Sequence, residues 1–339
     1  MRLKRLISVV DSHTAGEPTR VVLGGLPTLA GVTLRDKNDV LLERIEEYVG
    51  ILTGEPRGHP PMHAVLPLPA CDARADISFL ILSALGSLTM CGHALIGAVT
   101  TLLEIGTLPR HEPTTKLVVE TLAGLIHVEA RVEGDRVIDV TFDNAPSWVL
   151  ARDVELLVPG IGVLRLDLVY GGLWYAIAEA AQVGLLIEPG NAGRLVSMSH
   201  EIRRILNMRL PDLVSSPQAP AKIPQVLWVG PPATPDGNGR NMATSTELGF
   251  DRSPCGTGSS ARMALLHARG QLPLRQPFVH ESLLGTRFKG QLLAETTVAA
   301  GAAVCPSITG SAFITAFSQL AVDADDPLGW GFFISPGGS

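Results

Sequence analysis

The chain has 339 residues, 46% hydrophobic and 18% charged, with 35 glycines and 25 prolines, a composition typical of a globular enzyme with many turns rather than a disordered or fibrous chain. The formal net charge of -6 has no long basic run behind it and aromatic residues make up 5%, which argues against nucleic acid and favours a small-molecule partner. The four cysteines include no C-x-x-C pair and are too sparse for a disulfide framework, so we expect free thiols. No apolar stretch reaches the roughly 18 residues of a membrane helix, and we expect a cytoplasmic location.

Short apolar runs bounded by turn residues predict β-strands along most of the chain. They lie at residues 21–23, 77–82, 116–121, 124–133, 137–142, 163–168 and 225–229. Helical periodicity covers residues 35–53, 94–104 and 259–269, and runs through 176–207 in pieces broken by Pro189 and Gly190. We therefore predict an α+β protein whose main material is antiparallel sheet.

Two segments of the chain have the same outline. Cys91 opens a helical pattern that stops at Gly106, and Cys255 opens a pattern of equal length that stops at Gly270. Both indicate a helix with cysteine at its N-cap and glycine at its C-terminal stop. Because the two cysteines are about half the chain apart, the pattern predicts two similar lobes that each contribute one helix.

The length also favours two domains, at roughly 150 residues per domain. We place the lobe with the Cys91 helix at residues 1–165, the lobe with the Cys255 helix at residues 166–320 and a C-terminal tail at residues 321–339. The far C-terminal segment could pack back onto the first lobe. A cleft between the lobes would bring the two helix ends to one site.

The cysteine positions suggest acid–base chemistry. A thiol at a helix N-terminus lies where unpaired backbone N–H groups and the helix dipole stabilise negative charge, so the pKa of both thiols is expected to fall. The N–H groups that follow can hold a carboxylate, and glycine directly after cysteine lets a ligand approach the backbone. Inverting an amino acid at its α-carbon needs a base on one face and an acid on the other. A thiolate and a thiol meet that need, with the N–H groups acting like an oxyanion hole and no metal or organic cofactor required.

Histidines near the first cysteine segment could suggest a zinc site, but no pair is spaced i, i+4 on a predicted helix and no H-x-E or C-x-x-C pattern accompanies them. They are His13, His59, His63 and His93. We therefore expect no metal. Cys71 and Cys305 lack the Cys-Gly-helix context, and we interpret them as buried core residues.

Two motifs carry a resemblance to known proteins. They are Met90-Cys91-Gly92-His93 and Asp251-Arg252-Ser253-Pro254-Cys255-Gly256-Thr257-Gly258. Both resemble motifs of the proline racemase family, which includes 4-hydroxyproline epimerases and trans-3-hydroxyproline dehydratases, and further similar segments extend over nearly the whole chain. These are residues 12–20, 55–59, 170–172, 279–282 and 285–288.

The family resemblance implies both a fold and a set of site residues. The fold is that of diaminopimelate epimerase, with two pseudo-symmetric lobes, each a β-sheet wrapped around a central helix, and the active site in the cleft between them. Cys91 and Cys255 would be the two acid–base residues. His93 and Asp251 would hold the ring nitrogen of the substrate through their side chains. The carboxylate would be bound by Gly92, His93, Gly256 and Thr257.

Three positions bear on the substrate. Dehydratases of the family usually carry threonine at the position of Cys255, so the cysteine favours a racemase or epimerase. Proline racemases tend to have phenylalanine at the positions of His63 and Ser245. Because a buried ring hydroxyl without a partner costs about 1–3 kcal/mol, this polar pair favours a hydroxylated ring. We predict a 4-hydroxyproline 2-epimerase.

Several alternatives stay open at this point. Among enzymes they are a proline racemase, a trans-3-hydroxy-L-proline dehydratase and a 3-hydroxyproline epimerase. Outside enzymes they are an amino-acid-binding protein that has lost turnover, against which the intact second motif argues, and a thiol redox protein with a Cys91–Cys255 disulfide. The expected partner is a small imino acid, hydroxyproline or proline, rather than nucleic acid or membrane. A homodimer is one option for the oligomeric state.

Overall fold

A computed structural model describes residues 2–245 and 249–334 of the chain. Its strands are β1 (Leu3–Thr14), β2 (Glu17–Gly24), β3 (His63–Leu68), β4 (Ile77–Ser83), β5 (Gly86–Leu88), β6 (Thr114–Thr121), β7 (Gly124–Glu133), β8 (Arg136–Asp143), β9 (Trp148–Val158), β10 (Gly162–Tyr170), β11 (Trp174–Glu179), β12 (Gln225–Gly230), β13 (Gly239–Thr244), β14 (Phe278–Glu281), β15 (Arg287–Val298), β16 (Gly301–Gly310) and β17 (Ala312–Asp323). Its α-helices are α1 (Leu34–Leu42), α2 (Ile45–Leu52), α3 (Gly92–Glu104), α4 (Ala192–Leu213) and α5 (Gly256–Ala268). The predicted α+β class is confirmed.

The chain forms two compact units. The first combines Met1–Phe142 with Gly310–Ser339, and the second is Asp143–Thr309. These bounds differ from the predicted ones, because a boundary at 165/166 would cut through β10, which pairs with β9 in one antiparallel hairpin. The C-terminal return also begins before residue 321, since β17 already pairs with β1 from Ala312 onwards.

In the first unit a sheet surrounds α3. Its strands pair in the order β17, β1, β2, β3, β4, β6, β7, β8, with β5 beside the end of β4. Every residue of α3 from Gly92 to Leu103 is buried, as expected of a helix that is enclosed rather than packed on one face. On the other side of the sheet, α1 and α2 cover an apolar cluster that includes Ile7, Leu66 and Leu80.

The second unit is built in the same way around α5. Its strands pair in the order β9, β10, β11, β12, β13, β14, β15, β16. Helix α5 contacts β9, β10, β11, β13 and β15, while Leu195 and Ile202 of α4 pack with Trp228 on the outer side.

The two units share one topology. Taken in order, the strand pairs of each unit are antiparallel, antiparallel, parallel, antiparallel, parallel, antiparallel and antiparallel. Helices α3 and α5 occupy equivalent places, before the sixth strand of each series. The internal repeat predicted from the cysteine segments is therefore present in the strand order, with β17 supplying the first strand of the first unit from the far end of the chain.

The elements that were predicted exist, two of them differ in detail, and nine of the seventeen strands in the described residues were not predicted. All seven predicted strands and all four helical regions exist, but the helix expected at 35–53 is divided into α1 and α2, and residues 176–179 belong to strand β11. Tyr175 to Ala178 are all buried, because α5 contacts one face of this strand and the apolar cluster that includes α4 covers Ala176 and Ala178. A strand buried on both faces has a continuous apolar run that periodicity alone cannot tell from a buried helix.

Two further observations complete the fold. Within residues 2–245 and 249–334, no helix combines the length and the apolar character needed to cross a membrane. The four cysteines are free thiols. Cys71 and Cys305 are half-buried rather than buried; Cys71 lies in the loop after β3, and Cys305 lies on β16.

Candidate active site

Cys91 marks the start of the central helix of the first unit. Its backbone is extended, with φ -148° and ψ 119°, and its carbonyl accepts the first helical hydrogen bond from the Leu95 N–H at 2.9 Å. The first N–H groups of any helix have no partner within the helix, so the buried Gly92 and His93 lie at a site that suits an anion. The thiol itself is half-buried.

His93 lies directly against this thiol. Its Nδ1 is 3.2 Å from Cys91 Sγ, and its backbone carbonyl accepts a hydrogen bond from Thr14 Oγ1 at 2.8 Å, which ties the first turn of α3 to the end of β1. Burial lowers the pKa of His93 well below 6.5, and the neighbouring His63 lowers it further. The imidazole is therefore neutral at physiological pH, and can donate to or accept from the thiol according to its tautomer.

His63 joins the same group from the first position of β3. Its ring meets that of His93 edge-on, with centroids 4.4 Å apart. Its Nδ1 lies 3.0 Å from the Pro61 carbonyl, an acceptor, so Nδ1 carries the hydrogen and Nε2 is left as an acceptor. Burial lowers the pKa of His63 to about 4. The first unit therefore holds two neutral imidazoles beside one thiol.

This cluster bears on the expectation of no metal. One ligand atom from each of His63, Cys91 and His93 lies within 4.8 Å of the others. Neutral imidazoles and a thiolate are ligands that zinc prefers, although they lack the helical spacing by which sequence patterns identify such sites. The same three side chains that could bind a substrate could therefore also hold a soft divalent cation.

Cys255 opens the central helix of the second unit in an unusual backbone conformation. Its φ of 63° and ψ of 106° are rarely adopted by a residue with a side chain. The conformation is held by the Cys255 N–H, which donates to Ser253 Oγ at 3.0 Å, and by the carbonyl, which accepts from Ser259 N–H at 2.7 Å. It turns Sγ back over the helix end, where the Gly258 N–H donates to it at 3.4 Å.

Asp251 precedes this turn and shares its hydrogen bonds. Its Oδ1 accepts from the Ser253 N–H at 2.7 Å, and its own N–H donates to the Ala243 carbonyl at 2.9 Å. Burial raises the pKa of Asp251 to about 6. Burial, followed by the charge of Asp251, raises the pKa of Cys255 to about 12. At Cys255 the effect of burial therefore exceeds the fall in pKa expected from the helix end, because removing a thiolate from water destabilises it more than the N–H groups stabilise it.

Thr257 and Gly256 form the first turn of α5, and both are buried. Thr257 Oγ1 lies 2.6 Å from the hydroxyl of Tyr175, which also lies 3.3 Å from Cys255 Sγ. Tyr175 was not identified from the sequence, although a buried tyrosine needs a partner for its hydroxyl. The helix approaches the turn after β10 so closely that a Cβ on Gly171 would lie 2.3 Å from the Thr257 carbonyl oxygen.

The predicted residues therefore form one group in each unit. In the first unit the group consists of His63, Cys91, Gly92 and His93. In the second unit it lies along the turn that leads into α5 and consists of Asp251, Cys255, Gly256 and Thr257. Ser245 is one residue beyond β13, half-exposed, and its N–H donates to the Gly249 carbonyl at 3.2 Å. It thus lies between the end of β13 and the turn that contains Asp251.

Comparison with known proteins agrees with this architecture. The family model described as proline racemase matches residues 9–333. The chain is 39% identical to the proline racemase of Clostridioides difficile and 39% identical to a 4-hydroxyproline 2-epimerase of Streptosporangium roseum, in each case covering 98% of this chain and 100% of the relative. A crystal structure of a hydroxyproline epimerase from Agrobacterium vitis with bound trans-4-OH-L-proline matches with a TM-score of 0.87 and 39% identity, over 98% of this chain and 96% of that one.

More distant structures show the fold alone. A phenazine biosynthesis protein of Bacillus anthracis matches with a TM-score of 0.60 at 17% identity, over 93% of this chain and 98% of that chain. The fold and the comparisons together define an isomerase of the racemase and epimerase class with the diaminopimelate epimerase-like architecture. The chain belongs to the proline racemase family.

Proposed function

We propose that the protein is a 4-hydroxyproline 2-epimerase that inverts the α-carbon with two thiols and no cofactor. The observation that carries the proposal is that a Cys-Gly pair begins the central helix of each of two topologically equivalent units. Relatives named 4-hydroxyproline 2-epimerase and a related structure with bound trans-4-OH-L-proline support the substrate.

In the proposed reaction one thiolate removes the α-proton and the other thiol delivers a proton to the opposite face. The N–H groups of Gly92, His93, Gly256 and Thr257 bind the carboxylate and stabilise the charge that develops on it as the proton leaves. The protonation states of Cys91 and Cys255 are exchanged at the end of each turnover. The reverse reaction then begins from that exchanged state.

Asp251 is proposed to bind the cationic ring nitrogen, and this contact would also affect Cys255. The negative charge of Asp251 is one cause of the raised pKa of Cys255. A substrate ammonium paired with the carboxylate compensates that charge, so substrate binding is expected to lower the pKa of the thiol towards the working range. His93, neutral and 3.2 Å from Cys91 Sγ, is proposed to bind the same nitrogen through its side chain.

The ring hydroxyl is assigned to His63 and Ser245. The buried His63 imidazole keeps Nε2 as an acceptor, because Nδ1 is directed to the Pro61 carbonyl. This acceptor can bind the ring hydroxyl of hydroxyproline, whereas the methylene of proline offers it no hydrogen bond. Plain proline is the second candidate, since the relative named proline racemase is as similar, at 39% identity, as the relative named 4-hydroxyproline 2-epimerase.

Incubation with 4-hydroxy-L-proline in deuterated water tests the proposal. We expect deuterium at the α-carbon of both C2 epimers, which NMR detects after chiral chromatography separates them. L-proline and trans-3-hydroxy-L-proline are run in parallel. Preferred turnover of proline would identify a racemase, a ketimine from the 3-hydroxy isomer would identify a dehydratase, and no exchange with any isomer would contradict the proposal.

Cysteine variants test the two-thiol mechanism. Cys91→Ser and Cys255→Ser should each abolish inversion, although either could still exchange the proton of one epimer. Cys71→Ser and Cys305→Ser are matched controls, because these half-buried thiols lie outside both helix ends and should leave inversion unchanged. Full inversion by either of the first two variants would refute the mechanism.

A further inference from the structure

The hydroxyl of Tyr175 is enclosed between two groups at the start of α5. Tyr175 is fully buried, and its oxygen lies 3.3 Å from Cys255 Sγ and 2.6 Å from Thr257 Oγ1. The tyrosine is the second residue of β11, where it pairs with Val169 of β10 and with Gln225 of β12. A side chain held on a strand with neighbours on both sides fixes its hydroxyl relative to the helix.

Among the described residues, few donors face the sulfur of Cys255. Besides Tyr175, Sγ has the Gly258 N–H at 3.4 Å and Thr257 Oγ1 at 3.7 Å. The Asp251 carboxyl also hydrogen-bonds to the Cys255 side chain, and its negative charge opposes ionisation of the thiol. Burial opposes ionisation of this thiol, as its raised pKa reflects. An O–H donor at 3.3 Å from sulfur is therefore an important stabilising contact for the thiolate.

We propose that Tyr175 is a positioning residue that stabilises the thiolate of Cys255 and switches its hydrogen bond as the sulfur gains and loses a proton. The proposal rests on the acid–base role of Cys255 in the proposed function. When sulfur is a thiolate, Tyr175 donates to it and the Thr257 hydroxyl donates to the tyrosine oxygen. When sulfur is a thiol, its S–H can turn to the Asp251 carboxylate or to the tyrosine oxygen, and Tyr175 donates to Thr257 instead.

This switch needs no change in the ionisation of the phenol. Burial raises the pKa of Tyr175 well above 10, so the hydroxyl keeps its hydrogen throughout. The transferred proton moves only between Cys255 Sγ and the substrate α-carbon, and the two hydroxyls do no more than rotate. A rearrangement by rotation alone allows one sulfur to serve as base in one direction and as acid in the other.

Site-resolved alkylation tests the proposal without any substrate. The protein and the Tyr175→Phe variant are treated with iodoacetamide across a pH range, and the modification of each cysteine is followed by mass spectrometry. We expect the midpoint for Cys255 to rise in the variant, which at any pH below that midpoint is measured as a roughly tenfold slower alkylation of Cys255, with Cys91 unchanged. Tyr170→Phe, from the same β10–β11 hairpin, should leave both cysteines unchanged.

A second variant keeps the test valid if the phenylalanine protein does not fold. The chain has three tyrosines, Tyr48, Tyr170 and Tyr175, and replacing all of them by 3-fluorotyrosine retains shape while making the hydroxyl a stronger donor. The Cys255 midpoint should then fall. An unchanged midpoint for Cys255, or an equal shift at Cys91, would overturn the proposal.

Turnover distinguishes this proposal from the proposed function. In Tyr175→Phe, the acidic limb of kcat/KM should move to higher pH in the direction that uses Cys255 as base, while Tyr170→Phe keeps the parent profile. A shifted Cys255 midpoint in a protein that inverts no proline isomer would support the role of Tyr175 and reject the proposed substrate. Inversion of 4-hydroxyproline with an unmoved Cys255 midpoint would support the proposed function and reject the role of Tyr175.

Discussion

The carboxyl group of Asp251 is bound to the backbone N–H of Ser253, whose side chain in turn accepts from the backbone N–H of Cys255. Because burial raises the pKa of Asp251 to about 6, the group is charged above that pH and neutral below it. If it binds the ring ammonium, KM for hydroxyproline should rise about tenfold per pH unit below pH 6. Initial rates between pH 4.5 and 8 would measure this rise. A flat KM in that range would contradict the assignment.

Asp251→Asn should affect stability and binding in opposite directions. A carboxyl whose pKa is raised on folding contributes stability below its unfolded value near 3.8 and loses that contribution as pH rises through about 6. The amide retains an acceptor for Ser253, so the variant should melt at a higher temperature than the parent at pH 8, with little difference at pH 4, while binding substrate more weakly. Asp212→Asn, on an exposed position of α4, is the control and should change neither property. An unchanged Tm at pH 8 would argue against the raised pKa.

His63 is the residue at which substrate choice can be tested. His63→Phe removes the Nε2 acceptor and leaves a ring of similar size, so the ratio of kcat/KM for hydroxyproline to that for proline should fall about tenfold or more. His111→Phe, at an exposed position three residues before β6, is the control and should leave the ratio unchanged. An unchanged ratio in His63→Phe would remove His63 from the hydroxyl site.

The residues of the two motifs could be predicted because each motif is continuous in sequence, so Cys91 with His93, and Cys255 with Thr257, are close by necessity. Tyr175 could not be found in this way, because it is 80 residues from Cys255 and meets it only through the sheet. The raised pKa of Cys255 also could not be predicted from the sequence. A helix end indicates stabilisation of charge, but how far burial opposes it depends on the packed structure.

At the scale of elements, α3 approaches the β1–β2 hairpin closely at Gly97. A Cβ on Gly97 would lie 2.9 Å from Thr19 Oγ1 and 3.1 Å from Ser12 Oγ. Gly97→Ala should therefore lower the free energy of unfolding by about 1–3 kcal/mol, measured by urea denaturation. Gly193→Ala is the matched control on α4, where nothing lies within 4 Å of the added Cβ, and it should be neutral or stabilising by up to about 1 kcal/mol. Equal effects of the two changes would show that Gly97 does not mark a close approach.

The elements that were misjudged have different causes. Strand β11 was taken for helix because a strand buried on both faces is apolar without alternation. Strands β3, β5, β13 and β14 have only six, three, six and four residues, which gives periodicity little to act on. The longer strands β1, β9, β15, β16 and β17 were also not predicted. Pairing partners decide such segments, and a single sequence does not give them. The helices that begin at the two cysteines were predicted to within a few residues, since cysteine, glycine and apolar spacing all agree there.

At the scale of the whole molecule, the second unit is continuous in sequence while the first is not. A fragment of residues 143–309 should therefore show a cooperative urea transition by circular dichroism on its own. A fragment of residues 1–142 should not, because it lacks β17, which pairs with β1 from Leu3 to Thr14. Joining residues 310–339 through a flexible linker ahead of residue 1 should restore the transition. A cooperative transition in 1–142 alone would show that β17 is dispensable.

The return of β17 to β1 also sets an order for biosynthesis. As the chain leaves the ribosome, β1 and its neighbour β2 emerge before the second unit, but β17, which pairs with the other edge of β1, emerges only after all of Asp143–Thr309 has been translated. That edge of β1 must therefore remain unpaired during most of elongation, a period in which exposed strand edges are prone to aggregation and to capture by chaperones. The later-made unit can complete its fold first, and slowing translation across it should prolong the vulnerable state of the earlier one.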